Sequence, residues 1–484
     1  MSPTYQTPGV YVEEISTLPP SVAEIGTAIP AFLGTTTTGY NSLMPVVQEI
    51  NSLREFEERF GRAPATQWKV SCNQEKGSYT IVDQTGNPVD RFSEPACLLW
   101  YAIDHYFRNG GSRCYVVSVG PANPDSPPEA KQFISGLEAL KQYDEPTLIV
   151  IPEATKLSKD DYSNVCQEAL QHAENMKDRF VVLDAKPPAS QTLSTKDIQE
   201  MRHLIGSKCL DRGALYYPFL LTTLAHHIDE KKIEVTGLAS RDDSSTTAAS
   251  LDAEKTSSSS AEKGSAPVHT LDSLANRETI HYNQIKKLLG YQRVILPPSA
   301  AITGAIASVD RERGVWKAPA NVGLQAVIAP VQQVTDEQQG RLNIDAETGK
   351  SINAIRSFTG KGTLVWGART LAGNDNQWCY ISVRRLFITI EESVKKATQF
   401  AVYEVNDAST WLKVKGMIDS YLYTLWQRGA LRGTKAEEAY FVNVGTKTMT
   451  PDEILNGFLI VEIGLAAVRP AEFIILRFSH KVNQ

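Results

Sequence analysis

Leu148-Ile149-Val150-Ile151 and Phe180-Val181-Val182-Leu183-Asp184 bracket Asp160–Asp178, a segment whose apolar residues recur at three- and four-residue spacing. Four or five consecutive apolar residues without polar alternation describe strands covered on both faces. A helical pattern between two such strands is the unit of a parallel sheet, because only a long crossover brings the second strand alongside the first. The alternation continues outward. Strands are predicted at Ile29–Thr35, Cys114–Val119 and Leu215–Leu220, and helices at Pro95–Arg108 and Ala130–Lys141. A short helix is expected from Ser52, a suitable N-cap, through Phe56–Phe60. Residues 66–92 read as an inserted hairpin, with Tyr79–Asp83 running into a Gly86-Asn87 turn.

From residue 298 onward the order changes. Ile302–Val309 is small and apolar, and Leu364–Ala368 is a strand candidate. Tyr380–Val405 and Trp411–Gln427 carry helical periodicity, and Phe458–Val468 and Phe473–Phe478 read as strands. Helices and strands in blocks indicate an α+β domain. The first 25 residues hold Pro3, Pro8, Pro19 and Pro20, which forbid a long helix, and Val10 and Val12 alternate with Tyr11 and Glu13 as in a strand. Between Ser240 and Ser265, twelve of 26 residues are Ser or Thr, a composition that cannot offset its ordering entropy. A mobile surface loop is expected there, followed by a helix near Leu271–Leu289. The expected fold is therefore α/β with a largely parallel sheet, followed by α+β. Its parts are an extended arm 1–25, an α/β domain 26–297 with the hairpin 66–92 and the Ser-rich loop 240–266, a domain 298–468, and a strand arm 469–484.

The 484 residues are 42% hydrophobic and 21% charged, which excludes a wholly disordered chain. The formal charge of −6 (49 basic, 55 acidic) lacks the basic excess that phosphate neutralisation requires, so no nucleic acid is expected. Six cysteines lie scattered without CxxC spacing, and no apolar run reaches the roughly 18 residues of a membrane span. The start lacks the basic and apolar blocks of a signal peptide, so folding in a reducing cytoplasm is expected.

Motifs for chemistry are fragmentary. Gly349-Lys350-Ser351 supplies the end of a phosphate-binding loop, but Ile344 stands where its first glycine belongs. Gly360-Lys361 is followed by Gly362, with Ile355 in the corresponding place. His226 and His227 are adjacent and so diverge in any regular structure. Asp104-His105, on a helical pattern, do not face each other. Asp184 ends a strand of the expected parallel sheet, where α/β enzymes place catalytic groups, and supports the rival reading of a hydrolase or nucleotide-binding enzyme. No catalytic residue, cofactor or metal is assigned. The apolar strands at both chain ends can pair with another molecule's sheet or be used within the subunit.

A series of stretches carries a resemblance. They are Pro8–Glu14, Ile29–Thr35, Asn109–Val117, Leu296-Pro297-Pro298-Ser299, Asp310–Asn321, Asn353–Arg356, Gly367–Leu371 and Tyr380–Leu386. In this order the chain resembles the contractile tail sheath proteins of phage tails, R-type bacteriocins and phage-tail-like extracellular contractile injection particles. Residues 66–92 and 240–266 depart from the pattern. The resemblance implies a C-terminal domain lining a tube and an outer α/β domain. It also implies arms that give strands to neighbours, through Val10, Tyr11, Val12 and Ile15 at one end and Phe473, Ile474, Ile475, Leu476 and Phe478 at the other. It implies rings of six subunits stacked around an inner tube, baseplate and terminal cap proteins as further partners, and contraction by rigid-body rearrangement, with neither nucleic acid nor direct membrane insertion. Assembly in the cytoplasm and later release are expected. Tube contacts are expected among Arg384, Arg385, Lys395, Lys396, Lys413 and Lys415. A non-contracting baseplate or capsid-like component with the same arms is the nearest alternative.

Overall fold

Strands that are apolar on both sides must be covered on both sides. In the computed structural model, which describes residues 22–41, 43–73, 78–188, 193–238 and 269–473, they are. The contacts divide the chain into two units, Gly26–Arg384 and a smaller one drawn from Met1–Ile25 and Arg385–Gln484.

The larger unit is organised around a nine-stranded sheet. Its order is Val322–Gly323, Gly362–Val365, Ile352–Phe358, Gly213–Tyr217, Phe180–Asp184, Leu148–Val150, Pro30–Thr36, Cys114–Pro121, Val46–Ile50. The six strands from Ile352–Phe358 to Cys114–Pro121 run parallel, and the flanking ones antiparallel. Successive residues of Pro30–Thr36 serve opposite faces. Ala31 and Leu33 pack with the helices Ala130–Leu140 and Lys159–Met176. Phe32 meets Tyr106 of helix Leu99–Arg108 at 5.1 Å between ring centroids. The small run beginning at Ile302 lies in helix Ser299–Arg313. Gly304 lets that helix approach closely, since a Cβ there would lie 2.6 Å from the Tyr106 carbonyl oxygen.

Four expectations change in detail. Leu215–Leu220 is two strands, Gly213–Tyr217 and Leu220–Ala225, in different sheets, because Pro218 has no N–H to continue a ladder. The helix near Leu271–Leu289 breaks at Glu278 into Leu271–Arg277 and Thr279–Gly290. Tyr380–Val405 is helical over Ile381–Ala397 and closes with a 3-10 turn, Thr398–Ala401. Residues 298–384, expected with the C-terminal domain, lie in the larger unit, because Ile352–Phe358 joins the parallel sheet beside Gly213–Tyr217.

The hairpin insertion forms a module with a second, distant segment. Lys69–Asn73 pairs antiparallel with Ser78–Val82 and parallel with Glu234–Thr236. Trp68, Val70, Ile81, Val235, Leu271, Ile285 and Leu289 form its own core. The Ser-rich loop 240–266 lies outside the described residues.

The smaller unit holds helix Ala408–Gln427 and an antiparallel pair, Tyr440–Val444 with Val461–Leu465. Asp407 caps the helix, accepting from the Thr410 N–H at 2.9 Å. No helix among the described residues is long and apolar enough to cross a membrane.

Candidate functional site

In a doubly wound sheet, ligands bind beyond the carboxyl ends of the strands, where the strand order reverses. Numbered along the chain, the six parallel strands lie 2-1-3-4-5-6, so the reversal falls between Pro30–Thr36 and Leu148–Val150. That place is filled from within. Glu153, 1% exposed, accepts hydrogen bonds from the N–H groups of Thr35 (2.8 Å), Leu98 (2.9 Å) and Leu99 (3.2 Å), and from Thr35 Oγ1 (3.0 Å). Asp184 is likewise spent. It accepts from Ser299 N at 2.6 Å and Ser299 Oγ at 2.5 Å, at the start of helix Ser299–Arg313. Burial pushes its carboxyl up to about 7, and the two Ser299 bonds pull the other way. Asp184 anchors a helix.

The other chemical fragments separate in the same manner. His226 bonds Ser93 Oγ at 3.0 Å, while His227 Nδ1 donates to the Ala63 carbonyl at 2.7 Å. Asp104 pairs with Arg108 at 2.8 Å, and buried His105 reaches the Gln325 carbonyl. Lys350 is buried and donates to the Arg202 carbonyl at 2.8 Å, so its ammonium cradles no phosphate. Gly360-Lys361-Gly362 is the turn of the hairpin between Ile352–Phe358 and Gly362–Val365. Among the described residues, no three His, Cys, Asp or Glu side chains gather where they could hold a metal.

The smaller unit is built on a single antiparallel pair among the described residues. Tyr440–Val444 and Val461–Leu465 pair in register, Val442 opposite Ile463 and Val444 opposite Val461. No third strand among the described residues pairs with either. A two-stranded ladder is marginal by itself, and unpaired strand edges template pairing with another chain. Beside it lies a cavity of about 680 Å³, lined by Val394, Val402, Tyr403, Val405, Val414, Leu459, Val461 and Ile463, among others. Val405, Leu455 and Phe458 are 70%, 85% and 57% exposed. Asn406 fixes the loop in between: its amide donates to the Phe458 carbonyl at 2.9 Å, and its Oδ1 accepts from Trp411 Nε1 at 2.7 Å.

Of the residues expected in the arms, Val10, Tyr11, Val12, Ile15, Ile474, Ile475, Leu476 and Phe478 lie outside the described residues; Phe473, the last described, is 67% exposed. The root of the N-terminal segment is tied down, since Arg428 Nη1 donates to both Glu24 carboxylate oxygens at 2.9 and 3.1 Å. The six cationic candidates divide. Arg384 is 4% exposed, stacks over Trp378 at 4.4 Å and pairs with Asp211 at 3.4 Å. Arg385 is 3% exposed. Neither offers its charge at the surface of the subunit, because the first turns of helix Ile381–Ala397 are buried around most of their circumference. Lys395 and Lys396 stand further along and share Glu392 at 3.0 and 3.6 Å, while Lys413 and Lys415 are exposed on helix Ala408–Gln427. Sequence reasoning missed the groove beside Val461 and Ile463. It identified that strand and overlooked its partner, whose signal is the short run Tyr440-Phe441-Val442-Asn443-Val444.

Comparison with known proteins places this geometry among related ones. Residues 373–481 match the phage tail sheath C-terminal domain family. The chain is 30% identical to a chain of the PVC sheath complex, an extracellular contractile injection system in its contracted state, over 99% of each chain with a TM-score of 0.64. It is also 30% identical to a chain of the anti-feeding prophage baseplate, over 99% of this chain and 100% of that one, with a TM-score of 0.61. The tail sheath protein of Vibrio phage KVP40 is 27% identical over 136 residues, 28% of this chain. The matched stretch spans only 20% of that curated relative's length.

Proposed function

The chain belongs to the contractile tail sheath family, whose members are structural proteins and not enzymes, and on that premise we propose that it is the sheath subunit of a phage-tail-like contractile injection particle. Copies stack as rings of six around an inner tube, and the sheath shortens to drive that tube through a target envelope. The observation that carries this reading is the pair Tyr440–Val444 and Val461–Leu465, joined by no third strand among the described residues, with its apolar groove. The arms 1–25 and 469–484 of neighbouring copies supply the missing strands, with backbone bonds giving affinity and alternate side chains giving register.

An arm that gains about five hydrogen bonds at roughly 0.5–1.5 kcal/mol each contributes several kcal/mol before ordering costs. One such link is weak, and many simultaneous links are not. The subunit therefore stays soluble alone and holds firmly in the polymer. The extended sheath is kinetically trapped, and release lets subunits move as rigid bodies while the arms flex near Pro19-Pro20 and Arg469-Pro470. Contact with the tube must break during this motion. Screened charge pairs of about 0–1 kcal/mol suit it, and with Arg384 and Arg385 buried the assignment narrows to Lys395, Lys396, Lys413 and Lys415. Baseplate and terminal cap proteins complete the partners, and the particle assembles in the cytoplasm before release. A second reading, a baseplate-proximal sheath component, is favoured by the likeness to the baseplate chain.

Deleting residues 1–18 tests the proposal. The truncated chain is expected to remain folded and monomeric by sedimentation and to form no tubes under negative-stain microscopy. Tubes of normal length from this truncation would refute the arm model.

A further inference from the structure

The reversal point of the nine-stranded sheet is where this topology receives ligands, and there the chain presents a carboxylate to itself. Helix Leu99–Arg108 begins without a side-chain cap, because Leu98 stands at its N-cap. Its first N–H groups need acceptors, and the positive end of its dipole favours an anion. Glu153, more than fifty residues further along the chain, meets both needs with the bonds to Leu98 and Leu99. Its second oxygen takes the N–H of Thr35, at the end of the first parallel strand. A cradle is kept clear for it. A Cβ on Gly34 would sit 3.1 Å from Glu153 Oε2 and 3.0 Å from Leu99 Cβ.

We propose that Glu153 is an ionised internal anion, held in a carboxylate-binding crevice that the chain fills with its own side chain. Burial pushes the Glu153 carboxyl up, and the bonds from Thr35, Leu98 and Leu99 oppose it by favouring the charged form. Three backbone N–H groups can only donate, and the Thr35 hydroxyl is directed at the same carboxylate. A protonated carboxyl would bring a further O–H into a ring of donors. A buried charge is tolerated only where its bonds are all made together, so the group ties strand Pro30–Thr36, helix Leu99–Arg108 and the segment after Leu148–Val150 into one block. The inference concerns the larger unit alone and is independent of polymerisation.

The test uses the full chain and thermal unfolding, with sodium formate or sodium chloride at equal ionic strength. E153Q keeps the shape but turns an amide nitrogen toward N–H donors, so its melting temperature is expected to fall by several degrees. E153A is expected to fall further and to recover in part with formate and not with chloride, while the wild type is indifferent to both. E153Q melting with the wild type overturns the proposal, as does a folded E153A that ignores formate. Should E153A fail to fold, E153Q decides alone, since the isosteric amide satisfies a purely packing role and fails an anionic one.

Discussion

At the scale of the residue, the buried acids are the informative groups. Burial pushes the Asp184 carboxyl up to about 7 in the folded chain, against about 4 for an ordinary carboxylate. Between those values the folded protein keeps a proton that the unfolded chain releases, so Asp184's contribution to stability falls as pH rises from about 4 to about 7 and is level above. D184N should remove that slope while still accepting one bond from Ser299, and D184A should lose both bonds at a cost of about 1–3 kcal/mol. Urea midpoints of the three proteins across this pH range check the prediction; a wild-type slope retained in D184N contradicts it. The position of Asp184 at a strand end was legible in the sequence. Its role was not, because its partner Ser299 lies 115 residues away and only the fold joins them. The same limit hid the burial of Arg384 and Arg385. Charge is written in the residue type, whereas Asp211 and Trp378, which receive Arg384, belong to other elements.

At the scale of the element, the open strand pair is the feature most exposed to test. Val461 and Ile463 are partly buried and line the groove, so V461D is expected to cost the lone subunit little. In an arm-covered ladder the same carboxylate would be desolvated without a partner. The variant should therefore remain monomeric by sedimentation under conditions where the wild type forms tubes. Tube growth at wild-type protein concentration would remove this edge from the assembly. Strands with uninterrupted apolar runs, such as Phe180–Asp184, were legible to the residue, since a run this short between helical patterns suits a strand covered on both faces. Short strands with one covered face were harder. Val46–Ile50 and Tyr440–Val444 interrupt their apolar residues with Gln48-Glu49 and Asn443 and take their identity from the neighbour they pair with.

At the scale of the whole molecule, the sequence marked 66–92 as an insertion but could not say what it joins. The structure gives it a core shared with Glu234–Thr236 and the helices after residue 270. W68A is expected to loosen that module by about 3–5 kcal/mol and to leave the nine-stranded sheet intact. Limited proteolysis should then cut first within 66–92 and in the 228–291 segment; first cuts in the parallel sheet would show that the module is not separable. The boundary expected at residue 298 moved for a related reason. The pattern did not mark Ile352–Phe358 as a strand, and that strand returns to a sheet begun more than three hundred residues earlier. The division of the units has one more consequence. The larger unit, Gly26–Arg384, is complete while the ribosome still holds the residues that build most of the smaller one. In a nascent copy the residues of the nine-stranded sheet are therefore all synthesised before the strand pair Tyr440–Val444 and Val461–Leu465 exists.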